Sequence, residues 1–202
     1  MITGTMSDEE IHKEVQRDRY EVHNYMEKIV PRYRHTIVTT PQCQFPLYFP
    51  PVTFTSHRKN KYLVFFEIRD KKNWLENLLY TIVSLYDNNG IYAMTFSVAF
   101  DELYLYSPHF FSRYRTRFLK DENIKPIDVI KRFFKVNPTT QFRAGEGDEF
   151  YGTCNEGAVF GKKEGCRRIF KTFVSFDMLF ESQNDIKTEL YDRLIKYRAE
   201  IQ

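Results

Sequence analysis

Leu79-Tyr80-Thr81-Ile82-Val83-Ser84-Leu85-Tyr86-Asp87-Asn88-Asn89-Gly90-Ile91-Tyr92-Ala93-Met94-Thr95-Phe96-Ser97-Val98 decides the fold. Two runs rich in β-branched and aromatic residues, 79–86 and 92–98, flank an Asp-Asn-Asn-Gly turn, and that combination specifies a β-hairpin. Residues 52–55, 62–69 and 102–106 have the same character. The short segment 74–77 leaves no room for a crossover helix, so the expectation over 52–106 is an antiparallel meander.

Helices are expected on either side of it. Ser7 with Glu10 three residues later is a capping-box pair ahead of Ile11, Val15, Tyr20, Val22, Tyr25, Met26 and Ile29, which predicts a long N-terminal helix within 1–34 that ends near Pro31. Its narrow apolar stripe suits a helix lying across the domain or pairing with a second copy. Pro41, Pro46, Pro50 and Pro51 force an extended connection. After the meander, Ser107 as cap and Pro108 in the first turn begin a helix running to about Lys120, and a second helix follows Pro126, so 107–136 is predicted helical. There Ile127, Ile130 and Phe134 would be buried and Lys131, Arg132 and Lys135 exposed. A polar loop at 144–148 leads to strands within 149–175, and the spacing of Leu179, Ile186, Leu190, Leu194 and Ile195 predicts a C-terminal helix over 177–202. The fold class is α+β. With no internal repeat or linker composition, 1–202 reads as a single domain.

Composition narrows the function classes. The 202 residues are 42% apolar and include 19 Phe and 14 Tyr, so the interior should be packed with rings. No uninterrupted apolar run is long enough to span a bilayer, and the first residues carry no secretory pattern, so no membrane role and a cytoplasmic location are expected. Met6 could serve as the start as well as Met1. Cys43, Cys154 and Cys166 form no CxxC pair, which argues against a disulfide framework or a zinc ribbon. His12, His23, His35, His57 and His109 do not share metal-ligand spacing on one element, and no phosphate-cradling glycine loop or familiar hydrolase motif occurs. No metal and no cofactor are expected.

The net charge of +3 is unevenly spread: 113–135 carries +5 and 162–171 carries +4, which leaves −6 elsewhere. The basic second half is the first hint of function. Within it, Ser107-Pro108-His109-Phe110-Phe111-Ser112-Arg113-Tyr114-Arg115-Thr116-Arg117-Phe118 is the most chemical stretch. On a helical wheel Phe110, Phe111, Tyr114 and Phe118 share one face. His109, Arg113, Thr116 and Lys120 share the other, with Arg117 at the border. In the first turn the helix dipole disfavours an imidazolium, so His109 is expected as a neutral ring able to accept a proton. Arg113, one turn on, is placed to hold a phosphate beside it. Metal-free RNA cleavage needs those two roles, a base for the 2′-OH and fixed positive charge for the phosphorane. A structural reading competes, in which Arg113 and Arg117 pair with Asp101 or Glu102 and His109 caps a loop.

This Pro-His-x-x-x-Arg-x-x-x-Arg helix resembles that of small metal-independent ribonuclease toxins of the RelE and BrnT groups. The resemblance, confined to that helix and its flanks, implies an RNA-cleaving protein with His109, Arg113 and Arg117 as catalytic residues. Lys171 and Thr172 on a late strand could add a second phosphate contact and a hydroxyl. Lys120, Lys131, Arg132, Lys162, Lys163, Arg167 and Arg168 complete the candidate nucleic-acid surface, with 162–168 expected in an exposed hairpin turn. Arg interleaved with Phe and Tyr also suits single-stranded nucleic acid without catalysis. The expected partner is therefore RNA or another nucleic acid, with a protein partner or a homodimer as the alternative.

Overall fold

The computed structural model of the protein describes residues 1–97, 102–138 and 140–179, together with Thr188, Asp192 and Ile195. Contacts group the chain into two compact units, Met1–Asn88 and Asn89–Gln202. In the first, α1 (Asp8–Ile29) opens with the expected capping box: Ser7 N–H donates to Glu10 Oε2 at 2.7 Å and Glu10 N–H to Ser7 Oγ at 3.3 Å. Pro31 then tightens the chain into a 3-10 turn, Val30–Tyr33, before a short α2 (Arg34–Thr39). Four strands follow, β1 (Leu47–Tyr48), β2 (Val52–Thr55), β3 (Lys61–Ile68) and β4 (Leu78–Asp87). β3 is the central strand, with β4 along one edge and β1 and β2 sharing the other, all antiparallel. Alternate residues Tyr62, Val64, Phe66 and Ile68 meet Val22, Met26 and Ile29 of α1 in one core.

That core holds a polar feature absent from the sequence expectation. Tyr20, read as part of the apolar stripe, is 75% exposed, whereas Asp18 is fully buried. Its carboxylate accepts from Asn60 Nδ2 and Tyr62 OH, each at 2.7 Å, and from Arg58 Nη1 at 2.9 Å. Asn60 Oδ1 in turn accepts from the Ile2 backbone N–H at 2.6 Å. A buried carboxylate is tolerated only when its lone pairs are met in this way, and the network ties α1 to the β2–β3 turn.

The second unit contains β5 (Ile91–Ser97), β6 (Glu102–Tyr106), α3 (Pro108–Arg113), a π-helical turn (Tyr114–Leu119), α4 (Pro126–Val136), β7 (Gln141–Ala144), β8 (Glu149–Cys154), β9 (Gly157–Glu164) and β10 (Arg167–Ser175). The strand order is β5-β6-β10-β9-β8-β7. Every pairing is antiparallel except that of β6 with β10, which is parallel. The pairs within 52–106 are antiparallel between successive strands as expected, and the later return of β10 alongside β6 makes the sheet mixed. A parallel pair needs a long return path, and the stretch from α3 to β9 supplies it.

Rings fill this core. Tyr106 stacks on Phe170 at 4.3 Å and 7°, and Phe110, Phe133 and Phe173 join edge to face around them. A β-bulge makes this possible. Phe170 pairs with Gly161 and Thr172 with Phe160, so Lys171 is an extra residue, and Phe170 and Phe173 reach the same side although three positions apart. Phe150 and Phe170 close over Gly161 with centroids 5.0 Å apart, where a Cβ would sit 2.1 Å from Ile169 O and 2.5 Å from Phe150 Cζ.

Other expectations are also corrected. The helix begun at Pro108 widens to π geometry after Arg113, yet Tyr114 is buried, Phe118 packs on it and on Phe173, and Lys120 is exposed, as the wheel predicts. In α4 the buried set is Val129, Ile130, Phe133 and Phe134, with Ile127 only half-buried. β1 and β7 are strands the sequence reading missed, and Lys162 and Lys163 lie on β9 rather than in the turn. Of the predicted C-terminal helix, Phe176–Met178 forms a 3-10 turn and Thr188, Asp192 and Ile195 are helical. The rest of 177–202 beyond Leu179 lies outside the described residues, as do Val98 and Asp101. Among the described residues no helix is long and apolar enough to cross a membrane.

Candidate functional site

Ser107 caps α3 through Oγ, which accepts from Phe110 N–H at 3.2 Å, and Pro108 occupies the first turn as expected. Phe110 and Phe111 anchor the helix in the aromatic core, which turns His109 outward to solvent. Arg113 Nε donates to His109 Nε2 at 3.1 Å. A guanidinium can only donate, so His109 Nε2 is the acceptor in this bond and its lone pair is engaged. Arg113, half-buried, makes no other hydrogen bond and no ion pair among the described residues. Arg117 is half-buried without an ion pair among those residues, and Lys120 ends the π turn exposed, in left-handed conformation with φ 54°.

Several other candidate cations are occupied internally. Arg132 forms a forked pair with Glu156, Nη2 to Oε1 at 2.6 Å and Nη1 to Oε2 at 3.0 Å. The same Oε2 accepts from Tyr114 OH at 2.5 Å and from Asn137 Nδ2 at 2.9 Å. Burial alone would raise the Glu156 carboxyl, but the bonds from Arg132, Tyr114 and Asn137 outweigh it and hold the carboxyl below the ordinary range. Burial and the neighbouring carboxylate push the Tyr114 phenol up. Asn137 and Asn155 also donate to Phe133 O and Val136 O, capping the last carbonyls of α4. Sequence reasoning missed Glu156 because it sits in a β8–β9 turn that looks solvated.

Glu102 is not a partner of Arg113 or Arg117. It binds Arg168, Nε to Oε2 at 2.6 Å and Nη2 to Oε1 at 3.2 Å, and Lys163 Nζ lies 2.9 Å from Oε1. Against the cost of burial, these two cations hold the Glu102 carboxyl low. The Arg168 guanidinium also lies over the Phe142 ring at 4.4 Å. Lys131 pairs with Asp128 at 3.6 Å, Lys162 with Glu149 at 3.9 Å and Arg167 with Glu164 at 3.9 Å. Lys171 is exposed and Thr172 half-buried. The bulge at Lys171 places both on the face of β10 opposite Phe170 and Phe173, hence opposite α3, so they do not join the His109–Arg113 pair.

No three His, Cys, Asp or Glu side chains among the described residues are grouped to hold a metal ion. Cys43 and Cys166 are exposed and outside any disulfide, whereas burial pushes the Cys154 thiol up to about 12. No family model matches the chain, and neither a curated protein nor a solved structure matches it.

Proposed function

We propose that this is an RNA-directed protein whose α3 surface holds a backbone phosphate through Arg113, assisted by Arg117 and Lys120, with His109 beside it able to act on a 2′-OH in metal-independent cleavage. The observation that supports this is the exposed 3.1 Å bond from Arg113 Nε to His109 Nε2. A phosphate bound by the guanidinium competes with His109 for it, and withdrawal of Arg113 from His109 releases the lone pair a general base requires. A second reading, non-catalytic RNA binding, is favoured by that same lone pair being engaged and by no carboxylate bonding His109 among the described residues.

The two readings separate in one experiment. Mixed RNA is incubated with pure protein in the presence of a chelator, and binding and breakage are followed together. Cleavage that His109→Ala lowers by about 10²-fold or more supports the enzyme. Binding that Arg113→Gln weakens on the order of tenfold, with no breakage, supports the binding module. Absence of both at low salt refutes the RNA reading altogether.

A further inference from the structure

On the face of the second sheet turned away from α3, Tyr151 of β8 stands directly opposite Phe160 of β9, which stands opposite Thr172 of β10. Directly opposed positions on antiparallel strands bring Cβ atoms within about 5.5 Å, so the two residues are cross-strand neighbours on this face. Nearly every other ring on the helix-bearing side is locked into the aromatic core. Tyr151 and Phe160 are not: both are part-exposed, and neither makes a ring contact or a hydrogen bond among the described residues.

The surroundings of this pair are cationic and bounded. The bulge at Lys171 sets that lysine next to Thr172 on the same face, since the two bulged residues oppose a single partner, Phe160. Lys162 follows two positions after Phe160, paired only loosely with Glu149 at 3.9 Å. At the other end Thr153 and Ala158 are buried, so the patch closes after the two rings. Flat part-exposed rings on adjacent strands, edged by mobile ammonium groups and a hydroxyl, fit a ligand that alternates π faces with negative charge. Single-stranded nucleic acid does so, its bases stacking on rings while cations follow the backbone. A protein partner would meet an apolar patch of only two rings with lysines at its border.

We infer that Tyr151 and Phe160 form a base-stacking platform for single-stranded RNA, with Lys171 and Lys162 on its phosphates. It rests on the RNA-directed reading above and adds a second contact surface to it, separate from α3. The two are told apart with two probes, an oligouridylate and an abasic ribose-phosphate strand of equal length. Tyr151→Leu and Phe160→Leu keep apolar volume and remove the ring. Each should weaken oligouridylate binding on the order of tenfold while leaving the abasic strand unaffected. Arg113→Gln should weaken both strands alike. If wild-type protein binds both strands equally, or the leucine variants bind oligouridylate as tightly as wild type, the platform is wrong while the α3 reading stands. If neither strand binds, both are wrong. Should a leucine variant not fold, photocrosslinking of bromouridine-containing RNA to wild type decides: adducts at Tyr151 or Phe160 support the platform, and adducts confined to other residues overturn it.

Discussion

Glu156→Ala should destabilise the second unit by about 3 kcal/mol. The substitution removes the acceptor of Tyr114 OH at 2.5 Å and of Asn137 Nδ2 at 2.9 Å, as well as both Arg132 contacts. Tyr114 is 0% and Asn137 2% exposed, so the Tyr114 hydroxyl and the one Asn137 amide N–H not bonded to Phe133 O lose their acceptor without reaching bulk water. Each then costs roughly 1–3 kcal/mol. Arg132, 37% exposed, rehydrates, and its share is discounted accordingly. Urea denaturation followed by far-ultraviolet ellipticity gives the loss. In a cycle with Tyr114→Phe, which deletes one of the orphaned donors, the double variant should be about 1 kcal/mol more stable than additivity allows. The penalty should also depend on pH. A carboxyl held below its ordinary value stabilises the fold fully above about pH 4.3, and that contribution is lost as pH falls through the depressed folded value. The cost of Glu156→Ala must therefore shrink in acid. A penalty under about 1 kcal/mol at neutral pH, or one that does not change in acid, would refute this account.

Asp18→Ala leaves Asn60, Tyr62 and Arg58 without their shared acceptor. It should cost about 2–4 kcal/mol, read from the fluorescence of Trp74, the single tryptophan, which packs against the same core; an unchanged urea midpoint would show the network to be dispensable. Thiol titration of the native protein with an aromatic disulfide should label Cys43 and Cys166 promptly and Cys154 only on unfolding, because Cys154 is buried with its thiol pushed up to about 12. Prompt labelling of all three cysteines would contradict that placement.

How far the sequence could be read follows from which physical signal each element carries. The capping box of α1, the Ser-Pro start of α3 and the Asn-Gly turn are local chemistry, and each stands where expected: β4 ends at Asp87 and β5 begins at Ile91, with Asn89 and Gly90 at positive φ. The parallel pairing of β6 with β10 was not legible, because it depends on where the chain returns after 60 residues and no local pattern encodes that. Asp18 was invisible for the opposite reason. A charge on an apolar stripe reads as a boundary, and only the convergence of Asn60, Tyr62 and Arg58 makes it a core residue. The π turn beyond Arg113 carries no local signal, although the wheel still placed Tyr114 and Phe118 inside, Lys120 outside and Arg117 between.

Counting basic residues overstated the surface available to an anion. Two cation clusters that looked alike in sequence differ once their partners are known. Arg132 and Arg168 each sit in a fork on a carboxylate that is itself held low by them, so to release either guanidinium is to leave Glu156 or Glu102 without its main partner. Such a residue cannot be lent to a phosphate without loss of fold stability. Arg113 is different: its partner is the exposed His109 imidazole, and giving up that bond leaves no carboxylate without its cation. The same reasoning separates Lys171, exposed on its bulge, from Lys163, held at 2.9 Å from Glu102. Under the proposed RNA-directed reading, neutralising Arg113 or Lys171 should therefore alter binding at constant stability, whereas neutralising Arg132 or Arg168 should alter stability first.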